Sequence, residues 1–225
     1  MENSILFQDA VALLKQLIAT PSFSKEENET AEIICAFFEK HGVTYKRVGN
    51  NVYAFNRHYD PAKPSVLLNS HHDTVKPNKG YTIDPFTPIE KEGKLFGLGS
   101  NDAGGCLVSL IATFLYFVDK ENLSHNVVFA ASAEEEISGV NGIELVLPYL
   151  GHIDFGIVGE PTKLEMAVAE RGLMVIDCVA PGRAGHAARN EGENALYNAL
   201  DDINWIRNCT FDKVSDLLGP SRMTV

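Results

Sequence analysis

Three short apolar runs, each followed at once by polar residues, constrain the fold of this chain more than any other feature. They cover residues 66–68, 127–131 and 155–158, and each is too short to form a helix of its own. Segments with helical periodicity, over residues 103–119 and 140–150, lie between them. Because strands that alternate with helices form parallel sheets with covered faces, these patterns predict an α/β fold. We expect a mixed, mainly parallel sheet covered by helices on both faces.

The residues before the first run predict two helices. Apolar residues recur at helical spacing over residues 5–19, and Pro21 ends that helix because proline disfavours helical geometry in the residue before it. Ser24 and Glu27 have the spacing of a capping box, which predicts the start of a second helix that stops at Gly42. Short strands are also predicted over residues 43–48 and 52–56, and in a hairpin around Glu92-Gly93.

The pattern changes after Glu160. Residues 164–169 and 174–180 are predicted to be strands and residues 194–208 a helix, with no further acidic residue at a strand end. We therefore expect a domain boundary near residue 170.

Composition and charge exclude several classes of protein. With 45% hydrophobic and 22% charged residues, the chain is typical of a globular protein that buries a sizeable core. The formal net charge of −11 argues against a nucleic-acid-binding surface and against an anionic membrane as a partner. No signal peptide or membrane-spanning segment is evident, and the four cysteines form no CxxC pair, so we expect a reduced, cytoplasmic protein.

Polar residues at the predicted strand ends are the candidates for chemistry, because ligands of open α/β sheets bind beyond the carboxyl ends of the strands. One imidazole and several carboxylates occupy these ends and one glycine-rich loop, and such a set of ligands suits a pair of divalent transition-metal ions. Without a cation, so many acids close together would repel one another. The candidates are His71, Asp73, Asp102, Glu135, Glu136 and Glu160.

Each candidate also has a plainer interpretation. His71 could be an ordinary loop histidine, although the carboxylate in His-x-Asp can hold the distal ring nitrogen, as metal-binding histidines usually require. The run of glutamates could be a solvated helix start, and Asp102 could cap the helix that follows it. Glu160 could be a turn residue. The dinucleotide, phosphate-loop and GxSxG signatures are absent from the sequence, which removes the commonest competing enzymes.

Five motifs together resemble one known family. They are LLNSHHDTVKP, GLGSNDAGG, AEEEISG, IVGEPT and GRAGHAA, in that order along nearly the whole chain. The chain resembles the co-catalytic zinc metallopeptidase and amidohydrolase family that contains acetylornithine deacetylase and succinyl-diaminopimelate desuccinylase. Acetylornithine deacetylase is the member that the motifs resemble most.

The resemblance implies a role for each motif residue. His71 and Glu160 would bind the first of two Zn²⁺ ions, for which Co²⁺ or Mn²⁺ could substitute. Asp102 would bridge the two ions, and Glu136 would bind the second.

Asp73 would orient His71. Glu135 would be the general base, if AEEEI matches the family's usual Ala-Asp-Glu-Glu, and Glu134 would then fill the noncatalytic position. His186 would help to bind the substrate carbonyl. The resemblance also implies a cis peptide bond between Asp102 and Ala103.

The resemblance further implies how the chain is organised. Residues 1–170 would form the metal-binding catalytic domain, and residues 171–225 would begin a smaller α+β lid domain that can mediate a homodimer. Because Met223-Thr224-Val225 resembles the inside of a lid strand, we expect the lid to be truncated. The expected partner is a small-molecule N-acyl amino acid.

The implied reaction is hydrolysis of N-acetyl-L-ornithine, or of N-succinylornithine, in arginine biosynthesis. Two alternatives stay open at this point. One is a succinyl-diaminopimelate desuccinylase or a di- or carboxypeptidase of the same family. The other is a metal-binding or dimerising remnant without activity.

Overall fold

A computed structural model describes residues 3–189 and 191–225 of the chain. The chain folds as two units, Met1–Lys163 and Leu164–Val225. The division falls a few residues before the boundary that the sequence predicts near residue 170. No helix of the described residues is both long enough and apolar enough to cross a bilayer.

Among its described residues the first unit contains four α-helices and seven strands. The helices are α1 (Asn3–Ala19), α2 (Asn28–Lys40), α3 (Cys106–Phe117) and the short α4 (Ile143–Val146). The strands are β1 (Tyr45–Val48), β2 (Asn51–Phe55), β3 (Ser65–His71), β4 (Ile89–Lys91), β5 (Lys94–Phe96), β6 (Asn126–Ser132) and β7 (Phe155–Val158). All three apolar runs are therefore strands, as predicted.

Five of these strands form one mixed sheet in the order β1-β2-β6-β3-β7. β1 pairs with β2, and β2 with β6, in antiparallel register, whereas β6, β3 and β7 run parallel to one another. β4 and β5 form a separate hairpin. The predicted fold class is confirmed, and the parallel part of the sheet brings the carboxyl ends of three strands to one edge.

Helices cover both faces of the sheet because residues along each strand alternate between two apolar clusters. Leu68 and Phe129 pack with α1, α2 and α3 on one face. Their strand neighbours Leu67 and Val128 pack with Val146, from α4, on the other face. The larger cluster contains three fully buried aromatic rings, whose centroids lie 5.5 to 6.0 Å apart, namely Phe38, Phe114 and Phe129.

Two predicted helices are shorter than expected. The segment 140–150 has only the four residues of α4 followed by a 3₁₀ turn, Leu147–Tyr149, because Pro148 cannot continue the α-helical hydrogen bonds. The predicted helix over residues 103–119 begins as a regular α-helix only at Cys106, since Asp102 and Ala103 have non-helical backbone angles.

The predicted capping box is wrong. α2 begins at Asn28, and its N-cap residue, Glu27, makes no capping hydrogen bond through its side chain. The Ser24 hydroxyl instead donates to Asp73 Oδ2 at 2.7 Å. Both side chains are used for contacts far away in the sequence.

The second unit contains one α-helix, a 3₁₀ turn at Ala187–Arg189 and one small hairpin among its described residues. Helix α5 (Ala195–Asn208) is capped by Asn194, whose Oδ1 accepts a hydrogen bond from the Leu196 amide at 3.0 Å. Strands β8 (Val214–Ser215) and β9 (Gly219–Pro220) pair with each other.

The strands predicted over residues 164–169 and 174–180 do not form, and residues 223–225 are not in a strand either. Leu164, Met166 and Val168 alternate as a strand would require, but all three are exposed. A strand is stabilised by a hydrogen-bonded neighbour and by a buried face, and these residues have neither. An alternating pattern alone is therefore not enough to predict a strand.

The buried aromatic rings give the first testable prediction. Replacing Phe38 by Ala should lower the free energy of unfolding by about 3 to 5 kcal/mol, because the substitution removes a fully buried ring and leaves a cavity. Urea denaturation measures this change. The matched control is Phe7→Ala, whose ring is 69% exposed, and a similar loss in both variants would contradict this packing.

Candidate metal centre

The centre lies where the three parallel strands end. His71 is the last residue of β3 and is in register with Ser132, the last residue of β6. β7 ends beside them, and the Gly159 amide continues its pairing by donating to the Asn69 carbonyl at 2.7 Å. The sheet therefore delivers His71, the glutamates after β6 and Glu160 to one edge, as the sequence predicts.

Asp102 reaches this edge from the loop that precedes α3. The Asp102–Ala103 peptide bond is cis, which confirms the expectation from the resemblance. The loop is closed by a hydrogen bond of 2.8 Å from the Gly104 amide to the Gly99 carbonyl. A side chain at position 104 would collide with that carbonyl and with Leu14, so this close approach requires glycine.

Carboxylate oxygens surround one ring nitrogen, His71 Nε2. Asp102 Oδ1 lies 3.2 Å from it, and Glu135 Oε2 and Glu160 Oε1 each lie 3.8 Å from it. His71 is almost completely buried, whereas the Asp102 and Glu135 side chains are more than half exposed. The oxygens therefore face solvent and can be reached by an ion.

Two sets of possible metal ligands emerge among the described residues. One consists of His71, Asp102 and Glu136, the other of His71, Glu135 and Glu160, and the ligand atoms of each set lie within 4.8 Å of one another. Asp102 thus lies close to both His71 and Glu136, and His71 is the residue that the two sets share. Both Glu135 and Glu136 are within reach of an ion, so the geometry alone does not divide the roles of base and ligand between them.

Asp73 is a fully buried carboxylate that contacts both the histidine and the glutamates of the centre. His71 Nδ1 lies 3.0 Å from the Asp73 carbonyl oxygen and 3.3 Å from Asp73 Oδ1, which fixes the orientation of the ring. The two carboxylate oxygens also accept hydrogen bonds from the amides of Glu135 and Glu136, at 3.0 and 3.1 Å. Asp73 therefore holds both the histidine and residues 134–138, which we call the glutamate turn.

Glu134 differs from the two glutamates that follow it. Its backbone is left-handed, with φ of +53°, and its side chain is buried where Gly139 leaves room for it. Asn141 Nδ2 donates to Glu134 Oε1 at 3.0 Å. Glu134 is therefore turned away from the candidate metal ligands.

The charges of the centre shift the pKa values of its groups. Burial alone would lower the pKa of His71, but the hydrogen bond and charge of Asp73, with the charges of Glu160 and Glu135, raise it to about 9. Burial, followed by the charge of Asp102, raises the pKa of Glu136. Burial also raises the pKa of Glu160, against the opposing effect of His71. For Asp73, burial acts upward, but hydrogen bonds from His71, Ser24 and the two amides keep its pKa below the usual range.

These shifts fit a metal centre. Without a cation the carboxylates hold a proton on His71, and a divalent cation placed among them would replace that proton and relieve their mutual repulsion. One imidazole with several carboxylates is also a suitable donor set for Zn²⁺, Co²⁺ or Mn²⁺.

Three residues that support the centre are not predicted by the sequence. Ser24 and Glu27 have the spacing of a capping box, and nothing in the local pattern distinguishes Glu27 from its exposed neighbour Glu26. His72 is buried, with Nε2 2.9 Å from the Asn50 carbonyl oxygen and Nδ1 2.9 Å from the Thr30 hydroxyl. Burial lowers the pKa of His72, so it is a neutral structural histidine beside the candidate ligand. The only sequence signal for the role of His72 is its position next to the candidate ligand His71.

His186, the remaining predicted site residue, belongs to the second unit. It is exposed, and its carbonyl accepts a hydrogen bond of 2.9 Å from the Arg189 amide. Its role in binding substrate stays a prediction.

Fold and site together define an α/β protein with a carboxylate-rich centre that could hold two metal ions at the edge of its sheet. A profile of the family described as "Peptidase family M20/M25/M40" matches residues 67–215. The chain belongs to this family, as the five motifs predict.

Individual relatives carry two different names. The chain is 26% identical to succinyl-diaminopimelate desuccinylase of Wolbachia pipientis wMel, over 96% of this chain and 58% of that protein. It is 33% identical to acetylornithine deacetylase of Proteus mirabilis (strain HI4320), over 83% of this chain and 51% of that protein. The chain thus spans between half and three fifths of the length of these relatives.

A solved structure is also similar. The M20 family metallo-carboxypeptidase Sso-CP2 from Sulfolobus solfataricus matches with a TM-score of 0.56 and 25% identity, over 71% of this chain and 37% of that one.

The raised pKa of His71 predicts how metal binding depends on pH. At neutral pH a bound ion must displace the proton of His71, so the apparent affinity for Co²⁺ should rise about tenfold per pH unit until the pH approaches 9. Calorimetric titration in buffers of different ionisation enthalpy should detect the released proton. As a control, His152→Gln at an exposed site should leave both the affinity and its slope unchanged. An affinity independent of pH between about 6.5 and 8.5 would contradict this arrangement.

Proposed function

We propose that the chain contains the catalytic centre of a metal-dependent amidohydrolase that hydrolyses the amide bond of an N-acyl amino acid. The observation that carries this proposal is the ring of carboxylates around His71 Nε2 at the carboxyl ends of the parallel strands. Membership of the M20/M25/M40 family, and relatives named as a desuccinylase and a deacetylase, support the same class of reaction.

The proposed metals are two Zn²⁺ ions, with Co²⁺ or Mn²⁺ as substitutes. His71 and Glu160 would hold the first ion, Glu136 would hold the second, and Asp102 would bridge them. Such ions, when bound, make water more acidic and polarise a carbonyl group. Asp73 keeps the His71 ring in the tautomer that leaves Nε2 available as a ligand, because Nδ1 faces two Asp73 oxygens.

Glu135 is the proposed general base. Its carboxylate is exposed and close to His71 Nε2, where it can take a proton from the attacking water. The oxygen of that water forms the new bond to the carbonyl carbon, and the amide C–N bond then breaks. Glu135 returns its proton to the departing nitrogen, which leaves a carboxylic acid and a free amino acid. His186 is the proposed donor of a hydrogen bond to the carbonyl oxygen.

The proposed substrate is N-acetyl-L-ornithine or N-succinylornithine, which would place the reaction in arginine biosynthesis. N-succinyl-diaminopimelate, in lysine biosynthesis, is the second candidate, and the desuccinylase relatives favour it about as strongly as the deacetylase relative favours the first. We also propose a cytoplasmic location and a homodimer formed through the second unit.

A substrate panel tests these assignments. The Zn²⁺-loaded protein is incubated with N-acetylornithine, N-succinylornithine, N-succinyl-diaminopimelate and a set of dipeptides, and the released amino acids are measured by mass spectrometry. Ornithine release without dipeptide cleavage supports the first substrate, and diaminopimelate release supports the second. Cleavage of dipeptides alone indicates a peptidase, and metal binding without any turnover indicates the inactive remnant.

The roles of two adjacent glutamates can be separated by substitution. Glu135→Gln should lower kcat by about 10²-fold or more while metal content stays nearly unchanged, because the variant removes a base and no ligand. The matched variant Glu136→Gln, in the same turn, should instead lose metal. Metal content by mass spectrometry and kcat on the best substrate measure both effects. Loss of metal from Glu135→Gln but not from Glu136→Gln would mean that the two roles are exchanged.

A further inference from the structure

Three consecutive backbone amides in the glutamate turn donate to buried carboxylates from distant parts of the chain. The amide of Glu134 donates to Glu27 Oε1 at 3.1 Å. The next two amides, of Glu135 and Glu136, donate to the two oxygens of Asp73. We call this pair of carboxylates, Glu27 and Asp73, the amide clamp. The clamp holds the backbone of the turn and leaves the side chains of Glu135 and Glu136 free to face the metal centre.

Glu27 is a fully buried carboxylate without a cationic hydrogen-bond partner among the described residues. Its Oε1 also accepts from the Lys25 amide at 2.7 Å, and its Oε2 accepts from Asn50 Nδ2 at 2.8 Å. A buried charge is costly unless it is hydrogen-bonded, and hydrogen bonds to a charged acceptor are the strong ones. The Glu27 carboxylate therefore depends on these donors and holds them in place. One of the donors is the Glu134 amide of the glutamate turn.

The backbone that Glu27 holds is unusual. Glu134 and Ser138, with φ of +53° and +49°, bound the turn at both ends in the left-handed region, which residues other than glycine seldom adopt. The left-handed residue at position 134 changes the direction of the chain just after β6, so it determines where the next two carboxylates point. A contact on the Glu134 amide therefore acts directly on the geometry of the candidate base and ligand.

We propose that Glu27 is a positioning residue of the metal centre, which acts through the Glu134 amide and holds Glu135 and Glu136 in place. This inference rests on the proposed function. It assigns a role in the reaction to a residue that lies outside the family motifs, at the start of α2. The plainer alternative is that Glu27 only stabilises the packing of α2.

The first experiment tests the clamp without any metal. Glu27→Gln keeps the size of the side chain but replaces one oxygen by an NH₂ group, which is a donor. That NH₂ group must face other donors, either the backbone N–H groups of Lys25 and Glu134 or the side-chain NH₂ of Asn50. In the metal-free protein, amide hydrogen exchange at Glu134, followed by NMR, should become at least about tenfold faster, as expected for the loss of one charge-assisted hydrogen bond. Glu26→Gln, with the same charge change at an exposed neighbour, should leave this rate unchanged.

The second experiment tests positioning with Co²⁺ as the probe. Glu27→Gln should weaken Co²⁺ binding by about 10- to 100-fold, the usual effect of removing a group that orients ligands, and should alter the visible absorption spectrum of bound Co²⁺. Ile34→Val and Ile34→Ala, at a buried position of the same helix, provide controls, and the one closer to Glu27→Gln in unfolding free energy is compared. That control should bind Co²⁺ as the unsubstituted chain does.

The outcomes distinguish this inference from the proposed function. Unchanged exchange at Glu134 in both Glu27→Gln and Glu27→Ala, the second of which has no side-chain acceptor, would show that no clamp exists. Faster exchange with unchanged Co²⁺ affinity and spectrum would overturn the positioning role and leave Glu27 as a packing residue. An equal loss of affinity in the stability-matched control would overturn it as well. Failure of the unsubstituted chain to bind Co²⁺ would overturn the proposed function, while the exchange rates would still decide whether Glu27 holds the turn.

Discussion

The hydrogen bonds to the buried Asp73 carboxylate are the interactions on which the rest of the centre depends. Asp73 has no access to solvent, so its charge must be satisfied within the protein. It receives the His71 ring, the Ser24 hydroxyl and two amides of the glutamate turn, and together these keep its pKa low. One carboxylate thus ties the end of β3 to the segment before α2 and to the loop after β6. Movement of any of these segments would remove part of the hydrogen bonding on which this buried charge depends.

The sheet explains why these segments meet. β6, β3 and β7 are parallel neighbours, so their carboxyl ends share one edge although more than 80 residues separate His71 from Glu160 along the chain. Strand residues alternate between two faces, and an apolar cluster packs on each of them. The fold keeps several carboxylates near one histidine although they repel one another. These carboxylates, Asp73 first among them, raise the pKa of His71 to about 9.

The local sequence determined most of the strands and long helices. The three apolar runs became buried or paired strands at the predicted positions, and the long helices α1 and α2 end where proline and glycine predict. Some patterns failed. Residues 164–169 alternate correctly but find no partner strand, and the segment 140–150 contains Pro148, which shortened the predicted helix.

The α/β class, the family and the residues gathered at the candidate metal centre follow from the sequence, because strand ends and motifs can be identified from neighbouring residues. How those residues are held depends on the folded chain. Ser24 and Glu27 have the spacing of a capping box, yet they bond to Asp73 and to the Glu134 amide, 49 and 107 positions away. The choice between a local cap and a distant partner depends on which donors and acceptors the packed sheet and helices bring together out of water. That proximity is a property of the folded chain, and no spacing within a short segment contains it.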